Sequence, residues 1–156
     1  MKTKLLLVDD DPSVVSALSA VLRSEGYDVI PAVNGHEAIQ GFYEHPDVAI
    51  VLLDICMPVK GGWDTFERLT DINPLLPIII ITARPNQGSL AVAAGAGALM
   101  EKPLDVQALL ATMQQLLAEL PEKRLARAAG RETPPTIQPG APSEASRVQP
   151  NFKASL

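Results

Sequence analysis

Carboxylate side chains directly follow two apolar segments of this sequence and could together hold a metal ion. Asp9, Asp10 and Asp11 come after the first apolar segment, and Asp54 comes after the third. If these segments end side by side, the carboxylates raise one another's pKa values unless a cation neutralises them. A hard divalent cation with oxygen ligands does so, and Mg²⁺ (or Mn²⁺) suits carboxylates that leave positions open for water.

Two further polar residues lie at the ends of later apolar segments. Together with the carboxylates they form a set of side chains suited to phosphoryl transfer. Thr82 ends the fourth apolar segment, and Lys102 follows the fifth. A carboxylate can act as a nucleophile, which makes Asp54 the candidate acceptor of a phosphoryl group. A metal ion and Lys102 would neutralise charge on the transferring oxygens, and Thr82 would donate a hydrogen bond to one of them.

The apolar segments have the lengths and patterns of strands in a parallel sheet. We predict strands at residues 4–8, 27–32, 48–53, 77–82 and 98–101. Those centred on Leu6, Leu52 and Ile80 are apolar without alternation, which is typical of strands buried on both faces. Amphipathic segments that predict helices lie between them. The helix after Thr82 is predicted to be short, because residues 85–88 favour a turn.

Five repeats of strand and helix predict a doubly wound α/β fold of the flavodoxin-like type. The predicted sheet is parallel and five-stranded in the order 2-1-3-4-5, with right-handed crossovers. Ligands of such sheets bind where the strand order reverses, here beyond the carboxyl ends of the first and third strands. Asp9, Asp10 and Asp54 are therefore predicted to share one crevice, whereas Asp11 before Pro12 is predicted to cap the first helix.

Composition divides the chain after Leu120. Residues 1–120 carry 7 basic and 15 acidic side chains, a net charge of −8, whereas residues 121–156 carry 6 and 3 and hold six prolines. We predict a folded domain over 1–120 and a Pro-rich, disordered tail over 121–156, in which only 122–129 could form a short helix. An acidic body binds nucleic acid poorly, and the tail is too short for a basic module, so no DNA-binding domain is predicted.

Cysteine usage and hydropathy bear on the compartment. Cys56 is the single cysteine and cannot form an internal disulfide, so nothing indicates an oxidising environment. The longest apolar stretch, around residues 78–81, is far shorter than a membrane span requires. These features predict a cytoplasmic protein without membrane contact.

In order and spacing, the residues singled out above resemble the receiver domain of bacterial two-component response regulators, the CheY-like superfamily. The resemblance covers about residues 1–120 and is carried by Leu7-Val8-Asp9-Asp10-Asp11, Asp54-Ile55-Cys56-Met57-Pro58 with Gly62, Thr82-Ala83, Gly95-Ala96 and Lys102-Pro103. It implies that Asp54 is the phosphoacceptor and that Lys102 pairs with the phosphoryl group. It also implies that Mg²⁺ is bound directly by Asp10, Asp54 and the backbone carbonyl of Cys56, and by Asp9 mainly through water. Lys102-Pro103 is implied to be a cis peptide.

The resemblance further implies a single-domain response regulator. Such a protein receives its phosphoryl group from a histidine kinase or a histidine phosphotransfer protein and signals by protein–protein contacts, as a monomer or weak homodimer. It is not an enzyme, apart from its own Mg²⁺-dependent phosphorylation and dephosphorylation at Asp54. Phosphorylation would draw Thr82 inward and shift an existing equilibrium between two conformations.

Two departures from the family pattern leave other functions open. Leu99 stands where family members usually carry Tyr or Phe, and the loop after Thr82 is shorter than usual. One alternative is therefore a receiver-like scaffold or phosphate sink without a conventional switch. A flavodoxin-like cofactor binder would need Gly, Ser or Thr in the first loop, where three aspartates repel phosphate. A phosphatase with an aspartyl nucleophile would need an acid/base Asp soon after Asp54, and Ile55-Cys56-Met57 offers none.

Overall fold

The computed structural model describes residues 2–57, 61–130 and 136–140, which form a parallel sheet with helices on both faces. The strands are β1 (Thr3–Val8), β2 (Tyr27–Ala32), β3 (Ile50–Asp54), β4 (Ile78–Thr82), β5 (Ala98–Glu101) and β6 (Thr136–Gln138). The helices are α1 (Pro12–Ser24), α2 (Gly35–Glu44), α3 (Gly62–Ile72), α4 (Gly88–Ala94), α5 (Val106–Leu117) and α6 (Pro121–Ala128).

The sheet confirms the predicted strand order. Its order is β2-β1-β3-β4-β5-β6, in which the first five strands follow the prediction and β6 is added beside β5. All neighbouring strands are parallel, with Val8 beside Leu53, Asp54 beside Ile81 and Thr82 beside Glu101. The carboxyl ends of β1, β3, β4 and β5 therefore meet at one edge of the sheet.

The two faces of the sheet carry separate apolar clusters. On one face, α2, α3 and α4 pack through residues such as Phe42, Leu69 and Ala91. On the other face, α1 and α5 pack through residues such as Leu22 and Met113. The strands β1, β3 and β4 supply side chains to both clusters, which explains their uninterrupted apolar sequences. Burial of this surface, at about 25 cal/mol per Å², is the main source of stability.

The helix that follows the first aspartates begins where the sequence predicts. The Asp11 carboxylate accepts a hydrogen bond from the Ser13 N–H at 2.9 Å and caps α1, while Pro12 occupies its first turn. The helix after β4 is short, as predicted, and α4 has seven residues. None of the helices in the described part of the chain combines the length and the apolar character that a membrane span requires.

The chain beyond α5 departs from the predicted disordered tail. α6 lies where the sequence allowed a short helix, and the three residues of β6 pair with β5. This pairing corrects the prediction of disorder for residues 136–138, and it makes the sheet six-stranded. Residues 131–135 and 141–156 of the predicted tail lie outside the described residues. Composition does not reveal β6 because strand pairing uses main-chain groups, whereas the prediction rested on the tail's small apolar content.

Candidate functional site

Three predicted carboxylates meet at the carboxyl end of the sheet. One oxygen from each of Asp9, Asp10 and Asp54 lies within 4.8 Å of the others. Asp9 and Asp54 are each only 3% exposed, whereas Asp10 faces solvent. The strand register produces this arrangement, because Asp9 follows β1 and Asp54 ends the neighbouring β3. This all-oxygen donor set, with an open side at Asp10, fits a hard divalent cation such as Mg²⁺.

Backbone amides orient the two buried carboxylates. Oδ1 of Asp9 accepts a hydrogen bond from the Asp11 N–H at 2.9 Å, and Oδ1 of Asp54 accepts one from the Cys56 N–H at 2.8 Å. In both residues one carboxylate oxygen is therefore held by the main chain. The second oxygen, Oδ2, is directed toward the same cation, the ammonium group of Lys102.

Lys102 bridges the two buried aspartates. Its Nζ lies 2.9 Å from Oδ2 of Asp9 and 3.0 Å from Oδ2 of Asp54. Its main-chain N–H donates to the carbonyl of Thr82 at 2.8 Å, which fixes the end of β5 against β4. The cis peptide that the resemblance implies between Lys102 and Pro103 is present. Lys102 thus neutralises part of the charge that three close carboxylates concentrate.

The electrostatics of the site are set by burial and by this bridge. Desolvation raises the pKa of Asp54, and it outweighs the Cys56 amide and the Lys102 ammonium, which both favour the carboxylate. Desolvation also acts to lower the pKa of Lys102, but its hydrogen bonds to Asp9 and Asp54 raise that pKa more strongly. Lys102 therefore stays protonated, whereas Asp54 holds a proton more readily than an exposed aspartate does.

Thr82 and Cys56 lie together beside the cluster. Thr82 is fully buried, and its hydroxyl oxygen accepts a hydrogen bond from the Arg84 N–H at 2.9 Å. The same hydroxyl lies 3.4 Å from Sγ of Cys56. Thr82 lies at the same edge of the sheet as the carboxylates, as predicted. Its hydroxyl contacts Cys56 and Arg84 there rather than Asp54. The metal-binding role of the Cys56 carbonyl stays a prediction.

Gly62 sets the distance between α3 and the candidate acceptor strand. A Cβ at this position would overlap Cα of Ile55 and lie 2.8 Å from the carbonyl oxygen of Asp54. Only hydrogen fits there, so the start of α3 packs directly on the main chain that carries Asp54. The sequence identified Gly62 as part of a motif, and the structure supplies the steric reason.

A cavity of about 370 Å³ opens beside the segment that follows Asp54. It is lined by Ile55, Cys56, Met57, Gly61, Gly62, Trp63 and Arg84. Arg84 is not one of the predicted acceptor or metal-binding residues, and the sequence indicates it only as a neighbour of Thr82 that could influence how fast water reaches the acyl phosphate. Its position two residues after Thr82 was the available signal.

Leu99 is fully integrated into the core. It is 1% exposed and belongs to the same apolar cluster as Ala91 and Ile80. A leucine at this position is therefore a packing residue of β5. In the strand register it lies between Ile80 of β4 and Ile137 of β6.

Comparison with known proteins matches most of this chain to one family. Residues 5–114 match the family model for the response regulator receiver domain. The transcriptional regulatory protein ZraR of Salmonella typhimurium is 37% identical over 123 residues, and CpxR of Escherichia coli K12 is 35% identical over 116 residues. These alignments cover 78% and 73% of this chain but 28% and 49% of the relatives. The chain thus spans about half or less of the length of these curated relatives.

Solved structures share the fold. A CheY-like response regulator receiver domain protein from Methanospirillum hungatei superposes with a TM-score of 0.71 at 27% identity, covering 79% of this chain and 98% of that chain. The response regulator TrrA from Thermotoga maritima, crystallised in complex with Mg²⁺-BeF, gives a TM-score of 0.68 at 29% identity. That alignment covers 74% of this chain and 99% of TrrA.

Proposed function

This chain belongs to the family of response regulator receiver domains, and on that premise we propose that it accepts a phosphoryl group on Asp54. The proposed donor is a histidine kinase or a histidine phosphotransfer protein. The observation that carries the proposal is the bridge from Lys102 to Asp9 and Asp54 beside a three-carboxylate cluster. This arrangement joins a nucleophile, a candidate metal site and a cation within one crevice.

The transfer reaction assigns a task to each side chain. A carboxylate oxygen of Asp54 attacks phosphorus, while the bond from phosphorus to the donor's imidazole nitrogen breaks and the imidazole leaves. The amide of Cys56 orients the attacking carboxylate. The Lys102 ammonium can move from the carboxylates to the phosphoryl oxygens, because it already lies 3.0 Å from Oδ2 of Asp54.

The cluster is the proposed Mg²⁺ site. Asp9, Asp10 and Asp54 would hold the ion, together with the carbonyl of Cys56, and their donor set fits it. When bound, Mg²⁺ supplies positive charge that offsets the charge of the phosphoryl oxygens. TrrA was crystallised with Mg²⁺-BeF, which supports this proposal by analogy.

Output by protein–protein contacts is proposed in place of DNA binding by this segment. Residues 1–120 carry a net charge of −8, which opposes association with phosphate backbones. Leu99 also favours an output that does not depend on an aromatic ring moving in β5, because its side chain is packed in the core. A phosphate sink that accepts the group without a conventional switch is the second candidate.

Intact-mass measurement after incubation with acetyl phosphate and Mg²⁺ tests the function directly. We expect one phosphoryl adduct, lost in EDTA and absent from Asp54→Asn. Asp11→Asn is the matched control, because asparagine still caps α1 and Asp11 lies outside the metal cluster, so its adduct should persist. An adduct on folded Asp54→Asn, or none on folded wild-type protein with Mg²⁺, would contradict the proposal.

As the pH is lowered, Mg²⁺ affinity is expected to fall at a higher pH than it would if Asp54 had the pKa of an ordinary aspartate. Burial raises the pKa of Asp54 above its usual 3.8. Protons therefore compete with the metal at pH values where an exposed aspartate is fully ionised, and metal binding releases protons. Mg²⁺ affinity is therefore highest at pH values above the raised pKa of Asp54 and is lost as the pH falls through it.

Calorimetric titration with Mg²⁺ at a series of pH values, in two buffers of different ionisation enthalpy, would measure both effects. Asp54→Asn removes the titrating carboxyl and should show a weaker affinity with little proton release in this range. Wild-type affinity that stays constant as the pH approaches the usual aspartate range would refute the expectation.

A further inference from the structure

Residues 136–140, here called the strap, cover the edge of β5. Residues 136–138 form β6 and pair in parallel with β5, with Ala98 beside Thr136, Leu99 beside Ile137 and Met100 beside Gln138. β5 would otherwise end the sheet on this side and present unpaired main-chain groups. The strap therefore occupies an edge to which another extended segment could add.

The end of the strap contacts the main chain of the bridging lysine. A Cβ at Gly140 would lie 2.7 Å from the carbonyl oxygen of Lys102 and 3.3 Å from Cδ of Pro103. Gly140 thus packs on the carbonyl side of Lys102, while the N–H of Lys102 is bound to the carbonyl of Thr82. The main chain of Lys102 is held between β4 and the strap, and its side chain reaches Asp9 and Asp54.

α6 anchors the chain that leads to the strap. Glu119 and Arg127 form an ion pair whose side chains are both less than one-tenth exposed. Arg124 donates to the carbonyls of Leu116 and Leu117 at the end of α5, at 2.9 and 3.2 Å. A Cβ added at Gly95 would lie 3.2 Å from the carbonyl oxygen of Arg127, so α6 packs on the turn between α4 and β5.

Strong anchoring of α6 and weak pairing of the strap give a segment that can dock and release. The strap stays near β5 because α6 tethers it, which keeps its effective concentration high. Its own pairing with β5 involves three residues, and such short edge elements open at low free energy. A displacement of the Lys102 main chain toward the strap would disturb this docking, because the space between Gly140 and the Lys102 carbonyl is too small even for a Cβ.

We propose that the strap is a regulatory contact that senses the state of Asp54 through Lys102, an inference that rests on the proposed phosphorylation. The strap docks on β5 while Lys102 pairs with Asp9 and Asp54. Phosphorylation replaces the single negative charge of the Asp54 carboxylate with the nearly two negative charges of an acyl phosphate, a net gain of about one, and draws the Lys102 ammonium away from Asp9. The carbonyl of Lys102 then shifts against Gly140, and the strap leaves the β5 edge. By linkage, releasing the strap favours phosphorylation to the same extent.

Hydrogen exchange of the full-length protein, followed by mass spectrometry before and after treatment with acetyl phosphate and Mg²⁺, tests the coupling. We expect exchange at residues 136–140 to rise about tenfold on phosphorylation, a typical size for such coupling. The rise should be missing in Asp54→Asn. Unchanged exchange in a sample whose intact mass shows the adduct would overturn the inference and leave the proposed function standing. Absence of any adduct would overturn the proposed function, and the inference would fall with it.

Gly140→Val tests the same coupling in the opposite direction. Its side chain would collide with the Lys102 carbonyl, so the strap should exchange about tenfold faster without phosphorylation. By linkage, the ratio of phosphorylated to unphosphorylated Asp54 at equilibrium with acetyl phosphate should also rise about tenfold. Pro139→Ala is the matched control, because Pro139 is exposed and its variant should behave as wild type. Wild-type exchange and labelling in Gly140→Val would overturn the inference. Faster exchange with unchanged labelling would also overturn it, since the strap would then be uncoupled from the site.

Discussion

Replacing Gly62 with alanine is expected to lower the free energy of unfolding by about 3 kcal/mol, the upper part of the range for overpacked sites. The added Cβ would overlap Cα of Ile55 and lie 2.8 Å from the carbonyl oxygen of Asp54. These are main-chain atoms of β3 and the following loop, so no side-chain rotation can make room. The start of α3 must move away from the strand that carries Asp54.

Thermal unfolding of the metal-free protein would measure the loss, which corresponds to a decrease in Tm of about 10 °C. Gly61→Ala is the matched control, since a Cβ at the adjacent position meets nothing within 4 Å. Its effect should stay at about 1 kcal/mol, the typical cost of replacing a favourable N-cap residue with alanine. Equal stability of the two variants would show that α3 adjusts freely, and the close approach at Gly62 would then have no energetic importance.

Replacing Lys102 with methionine is expected to lower the free energy of unfolding of metal-free protein by about 3 kcal/mol. The ammonium group is the cation shared by Asp9 and Asp54, whose side chains are each only 4% exposed. Methionine retains an unbranched side chain but leaves two buried carboxylates facing each other near Asp10. Unpaired buried charge is what makes breaking such a bridge costly.

Mg²⁺ should reverse much of this loss. The variant is expected to bind Mg²⁺ about tenfold more tightly, equivalent to about 1.4 kcal/mol, because the metal no longer competes with an ammonium group for two carboxylates. The proposed phosphorylation should nevertheless be slower, since the Lys102 ammonium is no longer there to pair with the phosphoryl oxygens. Denaturation in EDTA and in Mg²⁺, together with calorimetric titration, would measure these changes.

Lys4→Met is the matched control for the lysine bridge. Lys4 pairs with Asp47 at 2.8 Å, but its side chain is 30% exposed and that of Asp47 is 57% exposed. An exposed pair of this kind contributes less than about 1 kcal/mol. Similar losses in the two variants would mean that burial adds nothing at Lys102, and an unchanged Mg²⁺ affinity in Lys102→Met would mean that the lysine and the metal do not compete.

The sequence alone determined the fold of the first five strands and the set of residues at their ends. Strands buried on both faces must be apolar throughout, so the change to a polar residue at Asp9, Asp54 and Lys102 marks the edge of the sheet. Strand order and handedness then follow from general rules of parallel sheets. The three-carboxylate cluster was predictable for this reason, and the structure brings its members together.

Only the tertiary structure decided how these residues contact one another and what lies beside them. Lys102 and Asp9 are 93 residues apart, and no pattern in either segment specifies that one ammonium bridges two carboxylates. The docking of Gly140 on the Lys102 carbonyl was equally hidden in a tail that composition predicts to be disordered. The buried pair of Glu119 with Arg127 was also hidden, because it joins α6 to the end of the predicted domain. Composition and periodicity indicate which side chains become buried when the chain folds. These contacts depend instead on main-chain groups, which every residue carries, and on charges that become buried only as pairs once the chain has folded.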